Sequence, residues 1–304
     1  VPGDGGDPTP GRYHRDVIAP SLSPGRYHPV VITWRQVPGS VVRVLLVTWN
    51  VNSLKARLER VVPWVEANTP DVLCIQETKM TDEAFPADVF AEMGYESAHV
   101  GEGRWNGVAI VSRVGLDDVV AGFDDDLPPD PEARLVWATC GGVRVGCAYV
   151  PNGRSLDNDH YTYKLAWLER LRATLLERAD PASPLVVTGD FNIAPDDRDV
   201  WDPAAFEGAT HVSQPERDAL SGLMQWGLTD VFRQHHDEAG VYSWWDYRGG
   251  SFHKGHGMRI DLVLATEMLA ARCTGARIDR DARKGKPTPS DHAPVMADFD
   301  TEGL

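Results

Sequence analysis

The chain has 304 residues, of which 42% are hydrophobic and 25% charged, enough to bury one large α/β domain with an appendage, or two small domains, under a solvated surface. No apolar run approaches the roughly 20 residues of a membrane-spanning helix, and residues 1–40 lack the basic-then-apolar order of a secretory signal, so the expected compartment is the cytoplasm and no membrane partner is expected. A net charge of −15 weighs against tight nonspecific binding of nucleic acid, although a cationic cleft can exist on an acidic protein.

Residues 1–40 carry Pro-Gly-Arg-Tyr-His twice, at 10–14 and 24–28, with no sustained helix or strand period. The repeat is too short for a solenoid unit, and a disordered extension is expected. Because the chain begins with Val, as a conceptually translated GTG codon would, Val41 or Val42 is an alternative start. The intact mass of the natural protein would decide between them. Residues 41–304 are expected to form one folded domain.

Val44–Trp49 reads as a buried strand, and Leu54, Leu58, Val61, Val62 and Val65 recur at helical spacing, predicting an amphipathic helix over 54–67 that Pro70 ends. Asp71–Gln76 is a second buried strand, followed by strands near 95–100, 107–113, 134–140 and 143–150. The last two flank Gly141-Gly142, a two-residue hairpin turn that pairs Cys140 with Val143 and Cys147 with Val136. Cys140 and Cys147 are therefore not opposite each other. With Cys74 inside an apolar run, nothing reads as a disulfide framework or a zinc site. A helix over 160–178 carries Leu165, Leu168, Leu171, Leu175 and Leu176 on one face. Leu185–Thr188, Tyr242–Trp245, Ile260–Ala265 and Pro294–Phe299 complete the strands. Strands come both singly between helices and in hairpins, which favours mixed sheets.

Four apolar strands carry a carboxylate at or near one end: Glu77 after VLCIQ, Asp190 after LVVTG, Asp261 within MRIDLVL and Asp291 before HAPV. Asn50 ends another strand, and Asn192 lies two residues past Asp190. Strand ends are where α/β enzymes place reacting groups. Carboxylates gathered there repel one another unless a cation neutralises them, and carboxylate and amide oxygens suit Mg²⁺ or Mn²⁺ rather than zinc. Taken singly, each is as well explained as a solvated strand end, and sequence does not show that they converge. His292, next to Asp291, adds a titratable base. His235, His236, His253 and His256 read as surface residues.

The stretches TWNVNSLKARLERV (48–61), PDVLCIQETK (70–79), YVPNGR (149–154), GDFNIAP (189–195), SWWDYR (243–248), GMRIDLVLAT (257–266) and SDHAPV (290–295) resemble, in order, the exonuclease III / abasic-site endonuclease family of the endonuclease/exonuclease/phosphatase superfamily. They span nearly all of 44–299, and YVPNGR followed by HYTYKLAWL is most like actinobacterial members. The resemblance implies an α/β fold, a four-layer αββα sandwich of two mixed sheets flanked by helices. It also implies a metal-dependent phosphodiesterase acting as a monomer on double-stranded DNA with abasic sites or blocked 3′ ends, using one or two Mg²⁺ or Mn²⁺ ions. Glu77 and Asp291, with Asn50 and Asn52, would hold the metal. Asp190 would orient or deprotonate the attacking water, and Asn192 would hold that water or a phosphate oxygen. His292, oriented by Asp261, would contact the scissile phosphate, with Tyr149 and Asn152 also in reach.

Trp244, Met258 and Ile260 match the small apolar pocket that accepts a flipped-out sugar lacking its base, with Arg248 at its edge. Arg154 is a candidate for insertion into the duplex or for backbone contact. Arg104, Arg248, Lys254 and Arg259 are candidates for local positive charge, or solvated surface. The loop FDDDLPPDPEAR (123–134) departs from the family in being short and acidic, which weakens DNA binding if it borders the groove and is inert otherwise. Inositol-polyphosphate phosphatases and sphingomyelinases share the fold and metal core without the SWWDYR and GMRID contexts. A catalytically dead binding relative would have lost Glu77, Asp190, Asn192 or His292, all present here.

Overall fold

The computed structural model describes residues 14–15, 34–35 and 43–304, in two units, Val1–Val42 and Arg43–Leu304. In the first, β1 (His14–Arg15) pairs antiparallel with β2 (Trp34–Arg35). The expected disordered extension otherwise lies outside the described residues, as do Val41 and Val42.

The second unit runs β3 (Arg43–Asn50), α1 (Leu54–Asn68), β4 (Val72–Gln76), α2 (Ala87–Glu92), β5 (Glu96–Val100), β6 (Val108–Ser112), β7 (Asp117–Ala121), β8 (Leu135–Cys140) and β9 (Val143–Tyr149). It continues through α3 (Asp159–Arg178), β10 (Leu185–Asp190), α4 (Gln214–Trp226), β11 (Leu228–Asp230), α5 (Val231–His235), α6 (Ser251–Lys254), β12 (Asp261–Thr266), α7 (Glu267–Ala270), β13 (Cys273–Ile278) and β14 (Val295–Asp300). Two six-stranded sheets result, ordered β13-β14-β3-β4-β6-β5 and β11-β12-β10-β9-β8-β7. Only β3/β4 and β9/β10 are parallel pairs within them, so both sheets are mixed, as expected.

Each sheet buries one face against helices. Leu54, Val61 and Val65 of α1 pack on Trp49, Leu73 and Ile75. Trp167, Leu168, Leu171 and Leu175 of α3 pack on Leu185, Val187 and Leu262. Each such aliphatic side chain contributes about 1.5–3 kcal/mol by leaving water. The other faces meet each other: Gln76 Nε2 lies 3.2 Å from Cys147 Sγ of the opposite sheet. The arrangement is the four-layer αββα sandwich.

The β8–β9 hairpin turns through Gly141 and Gly142, both at positive φ, and pairs Cys140 with Val143 and Val136 with Cys147 as predicted. All four cysteines are free. Three local expectations differ. Leu176 is exposed, because one residue beyond Leu175 the helix has already turned away; Lys164 and Tyr161 take buried positions on that face instead. Tyr242–Trp245 is not a strand: Trp244 makes isolated bridges to Met258 and His292, joining lead-in segments of the two sheets rather than extending either. The mostly exposed strand β7 and the irregular β13, shifted in register between Cys273 and Gly275, lack the apolar alternation that marks a strand. Among the described residues no helix is long and apolar enough to cross a membrane.

Candidate active site

Because β3 and β4 run parallel, both finish at one edge, with Asn50 in register with Gln76 and Glu77 next. Across the interface Asp190 is opposite Tyr149 on β9 and Asp261 on β12. Antiparallel β14 starts beside the end of β3, with Val295 opposite Thr48, so the preceding loop delivers Asp291 and His292 to the same place. The strand ends marked separately in the sequence therefore meet. Several residues here leave their strands in the left-handed region: Asn52 (φ 46), Glu77 (φ 53), Lys79 (φ 52) and Asn192 (φ 52). Outside glycine this costs about 1–2 kcal/mol per residue and collects at sites whose surroundings hold the strain. Gly189 is required before Asp190, since a Cβ there would sit 1.8 Å from the Ala148 carbonyl oxygen.

The side chains form one hydrogen-bonded group. Asn50 Nδ2 donates to Glu77 Oε1 (2.9 Å) and Asp190 Oδ2 (2.8 Å), and the Tyr149 hydroxyl donates to Glu77 Oε1 (2.9 Å). Lys79 pairs with Glu77 Oε2 at 2.7 Å and donates to Asn52 Oδ1 at 2.6 Å. Asn52 Nδ2 donates to Asp291 Oδ1 at 3.0 Å. His292 Nδ1 faces both Asp261 oxygens at 3.1 and 2.9 Å, and its Nε2 lies 3.8 Å from Asp190 Oδ2. The Asn192 backbone N–H donates to Asp190 Oδ1 (2.9 Å), and its side-chain oxygen accepts from Asn152 Nδ2 (3.1 Å).

Burial shifts these groups in opposite directions. It lifts the Asp190 carboxyl to about 7, against the pull of His292. Burial alone would lower His292, but Asp261 and then Asp190 outweigh it and raise the imidazole to about 10, so the ring is charged at neutral pH. Burial would likewise raise Glu77, yet Lys79, Asn50 and His292 hold it below its ordinary value. Tyr149 is pushed well up by burial and by Glu77, and keeps its proton.

Residues 47–292 match the model of the Endonuclease/Exonuclease/phosphatase family. The chain belongs to that family. It is similar to exodeoxyribonuclease III of Haemophilus influenzae, 32% identical over 268 residues that cover 83% of this chain and 98% of the relative. Among solved structures it is similar to an AP endonuclease from Archaeoglobus fulgidus, with TM-score 0.82, 39% identity and coverage of 85% and 100%. A Neisseria 3′ phosphatase bound to product DNA hairpin gives TM-score 0.80, 41% identity and coverage of 84% and 99%.

The family is divalent-metal dependent, and the donor set here fits such an ion. Single atoms of Glu77, Asp190 and His292 lie within 4.8 Å of one another. A protonated imidazole has no lone pair to offer, so the donors in this group are hard oxygens of Glu77 and Asp190, with Asn50 beside them. Asp291, expected as a ligand, is not part of that group and bonds Asn52 and Trp244. The Lys79 ammonium on Glu77 marks a position that already attracts positive charge.

Of the remaining candidates, Trp244, Met258 and Ile260 pack with Ala194 and Val200 in an apolar cluster, tied to the polar group by Trp244 Nε1 donating to Asp291 Oδ2 (3.2 Å). Arg154 is exposed, its backbone N–H donating to Asn152 Oδ1. The Arg248 side chain is 91% exposed and paired with Asp246, and it makes no contact with the group. Arg104 and Lys254 are exposed as well. Arg259 corrects the sequence reading: it is fully buried and held by Asp199 (2.6 Å) and Asp230 (2.7 Å), so it adds no positive charge to the surface.

The C-terminal end of the acidic loop reaches the site, where the Ala133 carbonyl accepts from the Gly107 N–H and the Arg134 carbonyl from the Tyr149 N–H. Much of its charge is turned inward, however: Arg170 clasps Asp125 with two bonds of 2.7 Å, and Arg134 pairs with Glu132. Sequence reasoning assigned no role to Lys79, visible as the last residue of QETK, nor to Lys164 and Glu216. Their signal was a lysine at 164 in step with Tyr161, Leu168 and Leu171, and the Ser213–Glu216 capping box that opens α4.

Proposed function

We propose that this chain is a divalent-metal-dependent DNA-repair nuclease. It incises the backbone 5′ to abasic sites and has 3′→5′ exonuclease and 3′-end-cleaning activity from the same site. The observation that carries this reading is the buried Asp190 carboxylate, held between Asn50, the Asn192 N–H and the charged His292. Phosphodiester hydrolysis needs a positioned base, a cationic contact for the phosphate and charge neutralisation.

Glu77, Asn50 and Asp291, with Asn52 behind Asp291, would hold Mg²⁺ or Mn²⁺, which when bound neutralises charge on the phosphate and the leaving oxygen. Asp190, with a pKa raised to about 7, is matched to accept the proton of the attacking water near neutral pH. Asn192 fixes that water or a phosphate oxygen. The His292 imidazolium, oriented by Asp261, stabilises the negative charge that develops on the phosphate, with Asn152 and the Tyr149 hydroxyl beside it. The apolar wall of Trp244, Met258 and Ile260 accepts a sugar without a base, while an intact nucleotide is excluded by size and by the cost of unstacking. Arg154, Arg248, Arg104 and Lys254 contact the DNA backbone. The protein acts as a cytoplasmic monomer.

The test is a duplex with one synthetic abasic site, incubated with Mg²⁺ or EDTA beside Asp190→Asn and His292→Asn. Metal-dependent cutting 5′ to the lesion, lost in both variants, is expected. A folded wild type that leaves the duplex intact with Mg²⁺ or Mn²⁺ overturns the reading in favour of another phosphoester.

A further inference from the structure

Behind the site, an ion pair sits where neither member meets water. Lys164 of α3 and Glu216 of α4 are both 0% exposed and in direct contact. The ammonium has three N–H bonds and meets three acceptors: Glu216 Oε1, the Asn192 carbonyl (2.7 Å) and the Asn152 carbonyl (3.3 Å). Glu216 is equally engaged. Its Oε1 accepts from Thr210 Oγ1 (2.7 Å) and the His211 N–H (3.0 Å), and its Oε2 from the Ser213 N–H (3.1 Å) and hydroxyl (2.6 Å). One cation thus joins the loop after β9 to the loop after β10, at the two asparagines whose side chains bond each other at 3.1 Å.

An ion pair removed from water is seldom more stabilising than apolar side chains of similar volume. Leu or Met at 164 and 216 would seal α3 and α4 to the sheet as well. They would not grip two carbonyls. Asn192 also sits in the left-handed region; Lys164 Nζ holds its carbonyl, and its side-chain amide is held between Asn152 Nδ2 and the Val150 carbonyl (3.0 Å).

We propose that Lys164 and Glu216 are positioning residues for hydrolysis, setting the Asn192 and Asn152 amides at the phosphate. The inference rests on the nuclease reading above. It treats the pair as acting only through those asparagines, so removing either member moves turnover rather than DNA affinity. A displacement on the order of 1 Å at a reacting group costs up to about 100-fold in rate.

The experiment compares Lys164→Met and Glu216→Gln with wild type, each alone and in an Asn192→Ala background, on the abasic duplex with Mg²⁺. ¹⁵N NMR of the asparagine side-chain amides accompanies the kinetics. Expected are a kcat lowered about tenfold to 100-fold with KM within about twofold, shifted Asn192 and Asn152 amide signals, and a much smaller further loss once Asn192 is Ala, the part that runs through Asn152. An unchanged kcat, a loss that multiplies fully with Asn192→Ala, or a loss confined to KM overturns the proposal. Should Lys164→Met fail to fold, Glu216→Gln, which keeps the side-chain shape, decides by the same criteria. A wild type that does not cut overturns the nuclease reading, and the amide signals then decide the positioning: unmoved in both variants, they overturn it too.

Discussion

Asp261→Asn tests whether the charge on His292 matters to the chemistry. The two groups are 2.9 Å apart and almost wholly buried, and asparagine keeps the shape and an oxygen to accept from Nδ1. Opposite unit charges about 3 Å apart at an effective dielectric of about 20 attract by about 5–6 kcal/mol, which is about four pKa units. His292 would fall from about 10 to about 6 in the variant. At pH 8 only about one ring in a hundred would then carry a proton, against nearly all in wild type. The assay is initial-rate cutting of the abasic duplex from pH 6 to 8.5 at constant ionic strength and saturating Mg²⁺, expressed as the ratio of variant to wild type. The ratio should be on the order of 1/100 at pH 8 and climb toward one as the pH falls to 6. A ratio that stays flat across this range would refute the reasoning, because it would mean that Asp261 supplies geometry and not charge.

Glu77→Gln removes one hard carboxylate and frees Lys79, so the Mg²⁺ concentration for half-maximal activity should rise at least about tenfold; an unchanged metal titration would take Glu77 out of the ligand set. Arg259→Met leaves Asp199 and Asp230 without their buried cation, although Arg233 still pairs with Asp199. Urea denaturation should show a loss of about 3 kcal/mol, the low end for a broken buried pair, and a loss below about 1 kcal/mol would contradict that account. The folded pKa of His292 is raised from 6.5 to about 10, so its stabilisation is complete below 6.5 and is lost as pH rises through about 10. Melting temperature in EDTA should therefore decline over that window, and His292→Gln should flatten the decline; equal slopes would mean the ring is not held charged.

Much of the site was legible because its residues follow strands that announce themselves: VLCIQ before Glu77 and LVVTG before Asp190 each end abruptly in a carboxylate. Convergence was not legible, since it depends on register across two sheets. Nothing local says that Asp190 stands opposite both Tyr149 and Asp261. Arg259 was misread because a charged residue beside Met258 and Ile260 suggests an outward-facing alternation, whereas its partners Asp199 and Asp230 come from distant turns. Lys164 was hidden for a similar reason: a lysine in a helix is ordinarily solvated, and only the burial of Glu216 explains why this one is not.

The distribution of these groups along the chain has a consequence for when the enzyme exists at all. Asn50 comes from β3 and His292 from the lead into β14, a strand that lies between β3 and β13 inside its sheet. Until that segment docks, Asp190 lacks its cationic neighbour and Asn52 lacks Asp291. A chain still emerging from synthesis, or one clipped ahead of residue 290, would lack both Asp291 and His292. On the proposed assignment of those two residues, a nuclease of this design stays silent until β14 is in place.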